Sequence, residues 1–360
     1  MKKQLSIIAM AALSLGAHAQ YSVKGIVPDL ADGTTIYLTQ HGTPTDSAVV
    51  SNGTFLIKSD KHKEIGYDEI HSSDFKWGTM FWMGNDQVTI DVPNNKLSGA
   101  PEEDLYQAYR ECLNPVWDEE EKIVNEQQAD FQKNGYKNWD YYSNLLKVEM
   151  RAKEDSIFLQ FCDQHPRAYI CLNHIYNRRV MDKYPYKKYI AMAEHLDTTA
   201  FSGRMWNTFR EVCQQDKSLE PGNPFPVKME GTDVYGEQWS LDNYKGKYTL
   251  IVISNANYDE HKSFHPEYTA LYDKYHAKGY EEYDFLLCSD RKDLLKQGAS
   301  CPPKWNIVSD FKAWNTSLLR TIGLDHISQY YFLSPDGTIL CHADNFPEAK
   351  AAVIKAMEGK

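Results

Sequence analysis

The chain lacks the spacings and compositions that mark several common classes of protein. No two of its seven cysteines are separated by two residues, so the CxxC spacing of a dithiol redox pair or a zinc ribbon is absent. Basic residues are scarce, with 39 Lys and Arg against 50 Asp and Glu, which argues against nucleic acid or anionic lipid as a partner. No run of about 18 apolar residues occurs, so the sequence predicts no membrane-spanning helix. Because the cysteine count is odd, a monomer keeps at least one free thiol.

The first residues have the pattern of a cleavable secretory signal. Lys2 and Lys3 precede an apolar stretch from Leu5 to Leu15, and the small-x-small site Ala17-His18-Ala19 follows. This order predicts that residues 1–19 are a signal peptide and that the protein is exported. An oxidising compartment would permit disulfides, and Cys162 and Cys171 are candidates because they flank a predicted helix break.

Residues 20–98 contain short alternating runs separated by turn residues. Five runs have the β pattern, and glycine or asparagine lies at the turns between them: YSVKGIV, TTIYLTQ, DSAVV, GTFLIK and QVTIDV. Alternation over such short lengths predicts a small antiparallel β-sandwich.

Residues 99–218 change to a helical pattern rich in Glu, Gln, Lys, Leu and aromatic residues. Apolar residues recur at helical spacing, and the breaks at Asn134-Gly135, His165-Pro166 and Tyr184-Pro185 predict about five helices. The aromatic stretch around Trp139 and Tyr142 is interpreted as rings buried between amphipathic helices, with a glycan or partner platform as the alternative.

Residues 219–360 alternate predicted strands and helices. Predicted strands at 248–254, 283–289, 330–333 and 338–342 are interleaved with helices at 259–278, after Asp290, after Asp310 and after Pro347. Such alternation predicts an α/β domain with a partly parallel sheet covered by helices on both faces.

Three stretches of this last region resemble a known family. They read GNPFPVKMEGTDVYGEQWSLDNYKGKYTLIV, LYDKYHAKGYEEYDFLLCSD and FLSPDGTIL. They resemble the thioredoxin-like proteins of the thiol-disulfide oxidoreductase and alkyl-hydroperoxide-reductase branch in Gram-negative envelopes. The segment from Tyr21 likewise resembles the β-domain of unknown function (DUF4369) often placed before such modules. The resemblance implies a C-terminal thioredoxin-like domain in a periplasmic protein.

The resemblance also shows where the redox chemistry is missing. The CxxC positions of the family fall on Tyr258, Asp259, Glu260 and His261, and its cis-proline falls on Ser328. A phenol cannot form a mixed disulfide and an imidazole cannot resolve one. The reductase activity that the family implies is therefore not expected here.

Other side chains are candidates for metal binding or thiol chemistry in place of the missing dithiol. His261 and His265 share one helix face and, with Asp259 or Glu260, have a spacing used for metals, but a solvated helix start is the favoured interpretation. Cys288 and Cys301 are candidate thiols, because each follows an element near the expected site. The stretch Cys341-His342-Ala343-Asp344 is interpreted as the end of an edge strand.

These patterns lead to one favoured hypothesis and two alternatives. The favoured hypothesis is a noncatalytic envelope protein that binds a peptide or another envelope protein and needs no cofactor or metal. The first alternative is a thiol oxidoreductase or peroxidase that uses Cys288 or Cys301. The second is glycan binding by the aromatic helical region.

Overall fold

The computed structural model describes residues 20–40, 42–255, 259–300, 304–324 and 326–359; for residues 259–262, 299, 300 and 320 only the backbone is described. These residues form two compact units. The first comprises the chain up to Tyr176 together with Ala191–Trp206, and the second comprises Asn177–Ile190 together with the chain from Asn207 onward.

The N-terminal part of the first unit consists of two four-stranded sheets, with strand orders β4-β1-β7-β8 and β3-β2-β5-β6. The strands are β1 Tyr21–Ile26, β2 Thr35–Gln40, β3 Thr43–Val49, β4 Thr54–Ser59, β5 Gly66–Ser72, β6 Gly78–Met83, β7 Gln87–Asp91 and β8 Lys96–Ser98. Side chains alternate between core and solvent, as in β4, where Phe55 and Ile57 point inward. Gly25 in β1 leaves room for the Phe55 ring, which would lie 1.9 Å from an added Cβ. The predicted N-terminal β-domain is confirmed.

The sequence prediction missed three of these strands: β5, β6 and β8. In β5 the inward positions are Gly66, Asp68, Ile70 and Ser72, so only one of the four is a large apolar residue. Asp68 is fully buried and lies 2.7 Å from the buried Lys63. A polar residue on the core side removes the apolar alternation by which a strand is recognised.

The middle of the chain is helical, as predicted. Its helices are α1 Pro101–Asn134, α2 Trp139–Asn144, α3 Arg151–Gln164, α4 Tyr169–Val180, α5 Tyr186–Ala193 and α6 Gly203–Ser218, with a π-helical turn Leu145–Met150 joining α2 to α3. Helix α1 starts at Pro101, and its Glu103 Oε2 accepts a hydrogen bond of 2.8 Å from the Trp82 N–H of β6. Gly135, with φ +60°, ends α1 where the sequence predicted a break.

The C-terminal part of the second unit is a seven-stranded sheet of order β10-β9-β13-β12-β11-β14-β15. The strands are β9 Glu230–Asp233, β10 Gln238–Ser240, β11 Tyr248–Asn255, β12 Tyr280–Leu287, β13 Asn306–Ser309, β14 Gln329–Leu333 and β15 Ile339–Ala343. The helices are α7 Asp259–Tyr275, α8 Arg291–Ser300, α9 Ser317–Thr321 and α10 Phe346–Glu358. Strands β11, β12 and β13 are parallel to one another. Strand β14 is antiparallel to β11, and β15 is antiparallel to β14.

Both faces of this sheet are covered. Ile251 and Ile253 of β11 belong to one core, and Leu250 and Val252 belong to the core on the opposite face. A strand buried on both faces is apolar throughout, which explains the continuous run at 250–253. Parallel strand-helix-strand units followed by an antiparallel hairpin and a closing helix are the thioredoxin-like arrangement, so the predicted fold class is confirmed.

Two details of this domain differ from the sequence prediction. The helix expected after Asp310 is a 3-10 turn at Ala313–Asn315 followed by the five-residue α9. Strands β9, β10 and β13 were not predicted. Each has only three or four residues, which is too few for a period to be read from sequence.

Candidate functional site

Three segments meet at the edge of the sheet where the sequence places the family's active site. Strand β11 ends at Asn255, and Ile253 pairs with Gln329, the first residue of β14. Tyr330 pairs with Ala343, the last residue of β15. The end of β11, the start of β14 and the end of β15 therefore lie side by side.

The four positions assigned to a CxxC are at the start of α7. Tyr258 lies outside the described residues. Asp259, Glu260 and His261 have a described helical backbone at the first turn of α7, and their side chains lie outside the described part of the structure. The described member of the candidate metal pair, His265, has its ring 5.9 Å from the ring of Trp305, so it packs against an aromatic side chain.

Ser328 lies directly before β14 and is 3% exposed. The peptide bond between Ile327 and Ser328 is cis, although residue 328 is not proline. The sequence comparison placed the family's cis-proline at this position. Serine differs from proline in keeping a backbone N–H, which is a hydrogen-bond donor.

A polar cavity of about 340 Å³ opens beside this edge, within the second unit. We call it the His342 cavity. Its walls come from the turn between α4 and α5, the end of α6, the residues before β14, the end of β15 and the start of α10. None of the described residues that line it is a cysteine.

Two acidic residues in the wall of the cavity are neutralised by basic neighbours. Arg179 pairs with Asp216 through Nε to Oδ2 at 2.8 Å and Nη2 to Oδ1 at 2.9 Å. The Tyr189 hydroxyl donates a further hydrogen bond of 2.9 Å to Asp216. Glu220 lies 3.2 Å from the Lys187 ammonium. These pairs reduce the negative charge that four acidic lining residues would otherwise create.

A second group of charges joins three distant parts of the chain. His326 Nδ1 lies 3.2 Å from Lys183 Nζ, and His326 Nε2 lies 3.0 Å from Asp344 Oδ1. Burial raises the pKa of the Asp344 carboxyl, but the hydrogen bond and charge of His326, with smaller contributions from His342 and Lys183, outweigh it and lower the pKa. Asp344 therefore remains ionised beside the two basic groups.

His342 is held in place by its neighbour on β14. It pairs across strands with Tyr331, and the two rings stack at 4.4 Å with an interplanar angle of 12°. Burial lowers the pKa of His342, against the opposing charges of Asp344, Asp216 and Glu220, so the imidazole is neutral at pH 7. Its Nε2 is buried and has no hydrogen-bond partner among the described residues.

The sequence interpretation of Cys341-His342-Ala343-Asp344 missed this cluster. It assigned the stretch to an edge strand, and β15 is indeed the last strand of the sheet. The partners Lys183 and His326 are far away in sequence, so no local signal points to them. Cys341 belongs to the same strand, and burial raises the pKa of its thiol to about 11.

The candidate thiols do not form a reactive centre in the described structure. Cys288 is buried, its Sγ lies within hydrogen-bonding distance of Ser309 Oγ at 3.2 Å and Asp290 O at 3.4 Å, and its pKa is raised chiefly by burial. A protonated thiol is a poor nucleophile. Cys301 lies outside the described residues.

The suggested pair of Cys162 and Cys171 is brought together but is not bonded. Both thiols are free and buried, and their mutual hydrogen bond is the largest cause of the raised pKa of Cys162. They lie on α3 and α4, either side of the break that the sequence predicted. The six cysteines in the described part of the chain are all free.

The aromatic stretch of the helical region is partly exposed. The rings of Phe131, Tyr136 and Trp139 meet edge to face at centroid distances of 4.9–6.3 Å, and Tyr136 is 72% exposed. Tyr142, by contrast, packs against the buried residues between α1 and α3. Only part of the stretch is therefore available as a surface.

The described residues contain neither a cluster of metal ligands nor a membrane-spanning helix. No group of three or more His, Cys, Asp and Glu side chains there is arranged to hold a metal ion. No helix in the described part of the chain combines the length and apolar character needed to cross a membrane.

Comparison with known proteins gives one family match and several similar structures. A family model described as a domain of unknown function (DUF4369) matches residues 21–106, about a quarter of the chain. No curated protein matches.

Three of the similar solved structures are thiol-disulfide oxidoreductases or thiol:disulfide interchange proteins. A thioredoxin domain of a thiol-disulfide oxidoreductase from Bacteroides vulgatus is 23% identical with a TM-score of 0.36, covering 39% of this chain and 99% of that chain. A thiol:disulfide interchange protein from Bacteroides sp. is 23% identical with a TM-score of 0.37, covering 39% and 93%. A thiol-disulfide oxidoreductase from Bacteroides fragilis is 19% identical with a TM-score of 0.34, covering 38% and 98%.

Proposed function

We propose that this chain is an exported protein of a Gram-negative cell envelope, acting in the periplasm, whose thioredoxin-like domain binds a peptide or protein without exchanging disulfides. The observation that carries the proposal is the His342 cavity. It lies at the edge of the sheet where the sequence comparison places a dithiol, and imidazole, ammonium and carboxylate groups line it. Export is inferred from the signal pattern of residues 1–19.

Disulfide exchange requires a thiolate that attacks a sulfur and a second thiol that resolves the mixed disulfide. The sequence has Tyr258 and His261 where those sulfurs would be. The described candidate thiol, Cys288, is buried with a raised pKa. Binding without redox chemistry is therefore the function that these residues support best.

The geometry of β15 supports a peptide as the bound molecule. The start of this edge strand is covered by Gly222 and Asn223, which lie in the segment before β9. The Ile339 N–H donates to Asn223 O at 2.8 Å, and the Gly222 N–H donates to Ile339 O at 2.8 Å. The end of the strand, at His342 and Ala343, borders the cavity instead. Extended peptides commonly bind along such sheet edges.

The proposal is tested by two activities and one engineered control. We expect the purified protein to reduce insulin disulfides and to consume peroxide with a thiol donor no faster than a variant whose cysteines are all replaced by serine. The double substitution Tyr258→Cys/His261→Cys is the positive control, because it restores a dithiol at the start of α7. Wild-type rates well above those of the cysteine-free variant would overturn the proposal and favour the thiol alternative.

Peptide binding is measured directly with a library of short peptides and isothermal titration calorimetry. We expect the affinity of bound peptides to be unchanged by replacement of all cysteines, because no covalent step is involved. Loss of binding in the cysteine-free variant, while its circular dichroism spectrum stays native, would contradict a noncovalent mode.

Glycan binding is the second candidate, and the exposed rings of Tyr136 and Trp139 favour it. Exposed aromatic faces are surfaces on which sugar rings can stack. A glycan-dependent rise in melting temperature that Trp139→Ala abolishes would support this function. Absence of any such shift across a glycan panel would remove it.

A further inference from the structure

We propose that the His342 cavity binds a carboxylate group, supplied by the C-terminus or an acidic side chain of a bound peptide. This inference rests on the proposed peptide-binding function and names the chemical group that the site recognises. It is carried by three features of the cavity: a buried nitrogen, the start of a helix, and four acidic lining residues of which three lie against a basic group.

The first feature is the buried Nε2 of His342. A buried polar atom without a partner carries an energetic cost that a ligand can remove. The stacked Tyr331 ring fixes the orientation of the imidazole, and His342 is one of the residues that line the cavity. An imidazole with Nε2 protonated donates a hydrogen bond, and a carboxylate oxygen accepts one.

The second feature is the N-terminus of α10, which lies in the same wall. Asn345 precedes this 13-residue helix and accepts a hydrogen bond of 3.0 Å from the Glu348 N–H. Both Asn345 and Glu348 line the cavity. The start of a helix carries a partial positive charge that favours anions. This effect acts together with His342 because both border the same space.

The third feature is the balance of charge. Asp344 faces His342 from the end of β15, Asp216 and Glu220 face it from α6 and the residues after it, and His326 faces it from before β14. Each of these acidic residues has a basic neighbour. Asp216 lies against Arg179, Glu220 against Lys187, and Asp344 against His326. Lys183 contributes another cation at the rim. Three of the four acidic lining residues therefore lie against a basic group, and the negative charge of the fourth, Glu348, is offset in part by the start of α10, where it lies in the first turn.

The size of the cavity suits a small group. Its volume of about 340 Å³ is at the lower end of ligand pockets, which span roughly 300 to 1,000 Å³. This space accommodates the last one or two residues of a peptide.

The test compares two probes that differ only in their terminal group. Acetyl-Ala-Ala-Ala with a free carboxylate and the same peptide with a C-terminal amide are titrated into the purified chain, with sodium acetate as a third probe. We expect the free acid to bind about 10-fold more tightly than the amide, the difference typical of a charge-assisted hydrogen bond. Acetate shows whether a carboxylate alone is sufficient.

Two substitutions connect the preference to the cavity. His342→Phe keeps a ring to stack on Tyr331 and removes Nε2, while Lys183→Gln removes the cation. Each is expected to abolish the preference for acid over amide. Lys245→Gln is the matched control, because Lys245 is exposed and pairs with Asp242 in the loop before β11, at the opposite edge of the sheet. His342→Gln repeats the test if the Phe variant does not fold.

A spectroscopic readout is independent of affinity. A bound carboxylate favours the imidazolium form, so the pKa of His342, followed by NMR of its ring proton, is expected to rise when the free acid binds. The amide should leave it unchanged.

The outcomes separate this inference from the function on which it rests. Peptides that bind equally as acid and amide would overturn the carboxylate site while the peptide-binding function stands. Acetate binding that depends on His342, without any peptide binding, would support the site and contradict the peptide function. A zinc-dependent rise in melting temperature that requires His342, without any carboxylate effect, would also overturn the inference.

Discussion

Glu102 provides a quantitative test of how the helical region is held together. This residue lies in the first turn of α1, and its Oε1 accepts a hydrogen bond of 2.7 Å from the Ile170 N–H of α4. Burial raises the pKa of its carboxyl to about 7, from a usual value of 4.5, despite hydrogen bonds from the N–H groups of Ile170 and Tyr169 that lower it. The perturbation is Glu102→Gln, which keeps the shape and the carbonyl acceptor and removes the ionisation.

The sign and the size follow from this raised pKa. The folded chain holds the Glu102 proton more tightly than the unfolded chain, so its contribution to the free energy of unfolding is complete below pH 4.5. That contribution falls as the pH rises through 7. A shift from 4.5 to about 7 corresponds to about 3 kcal/mol. Since glutamine resembles the protonated acid, the variant should be within about 1 kcal/mol of the wild type at pH 5 and exceed it by about 3 kcal/mol at pH 8.

The assay is urea-induced unfolding followed by circular dichroism at pH 5, 6, 7 and 8. Glu121→Gln, on an exposed position of the same helix, is the control and should show no pH-dependent difference from the wild type. Asp68 also has a raised pKa, at about 6. Because the wild type and Glu102→Gln both contain Asp68, its contribution to the pH dependence cancels in the difference between their free energies of unfolding. A Glu102→Gln chain no more stable than the wild type at pH 8 would refute the reasoning.

Three further predictions concern buried positions. Lys63→Met leaves the fully buried Asp68 without its ion-pair partner and should cost about 3 to 5 kcal/mol in urea unfolding, with most of the loss recovered by Lys63→Met/Asp68→Leu. Loss of under 1 kcal/mol in the single variant would contradict the buried pair. Cys288 should resist a thiol reagent at pH 8 until urea is added, as mass spectrometry of labelled peptides would report, because its thiol is buried and protonated. Gly25→Ala places a Cβ 1.9 Å from a phenylalanine ring and should lower the stability by about 1 to 3 kcal/mol, so an unchanged melting temperature would speak against that contact.

The sequence predicted regular elements well where one local pattern dominates. The apolar run of β11 and the helical spacing of α1 each extend over many residues, and both elements were found. Prediction failed where polar residues face the core, as Asp68 does in β5, or where a strand has only three or four residues, as in β9 and β13. A period cannot be recognised in so few positions.

The positions of the family's active site were assigned from sequence alone. Counting along a recognised pattern assigned the CxxC to the start of α7 and the cis-proline to Ser328, and these assignments stay predictions. Cys288 was a candidate from sequence alone, and only its burial shows that the thiol remains protonated. Reactivity depends on the surroundings of a side chain, which a linear motif does not contain.

The sequence by itself therefore determined the order of the β, helical and thioredoxin-like regions and the absence of sulfur at Tyr258 and His261, because these depend on local patterns and residue identities. Only the tertiary structure decided that Lys183, His326 and His342 meet around one cavity. More than 140 residues separate Lys183 from His326. Side chains this far apart along the chain are brought together only by the tertiary fold of the second unit, in which Lys183, His326 and His342 line the same cavity. No spacing rule within the sequence specifies that contact.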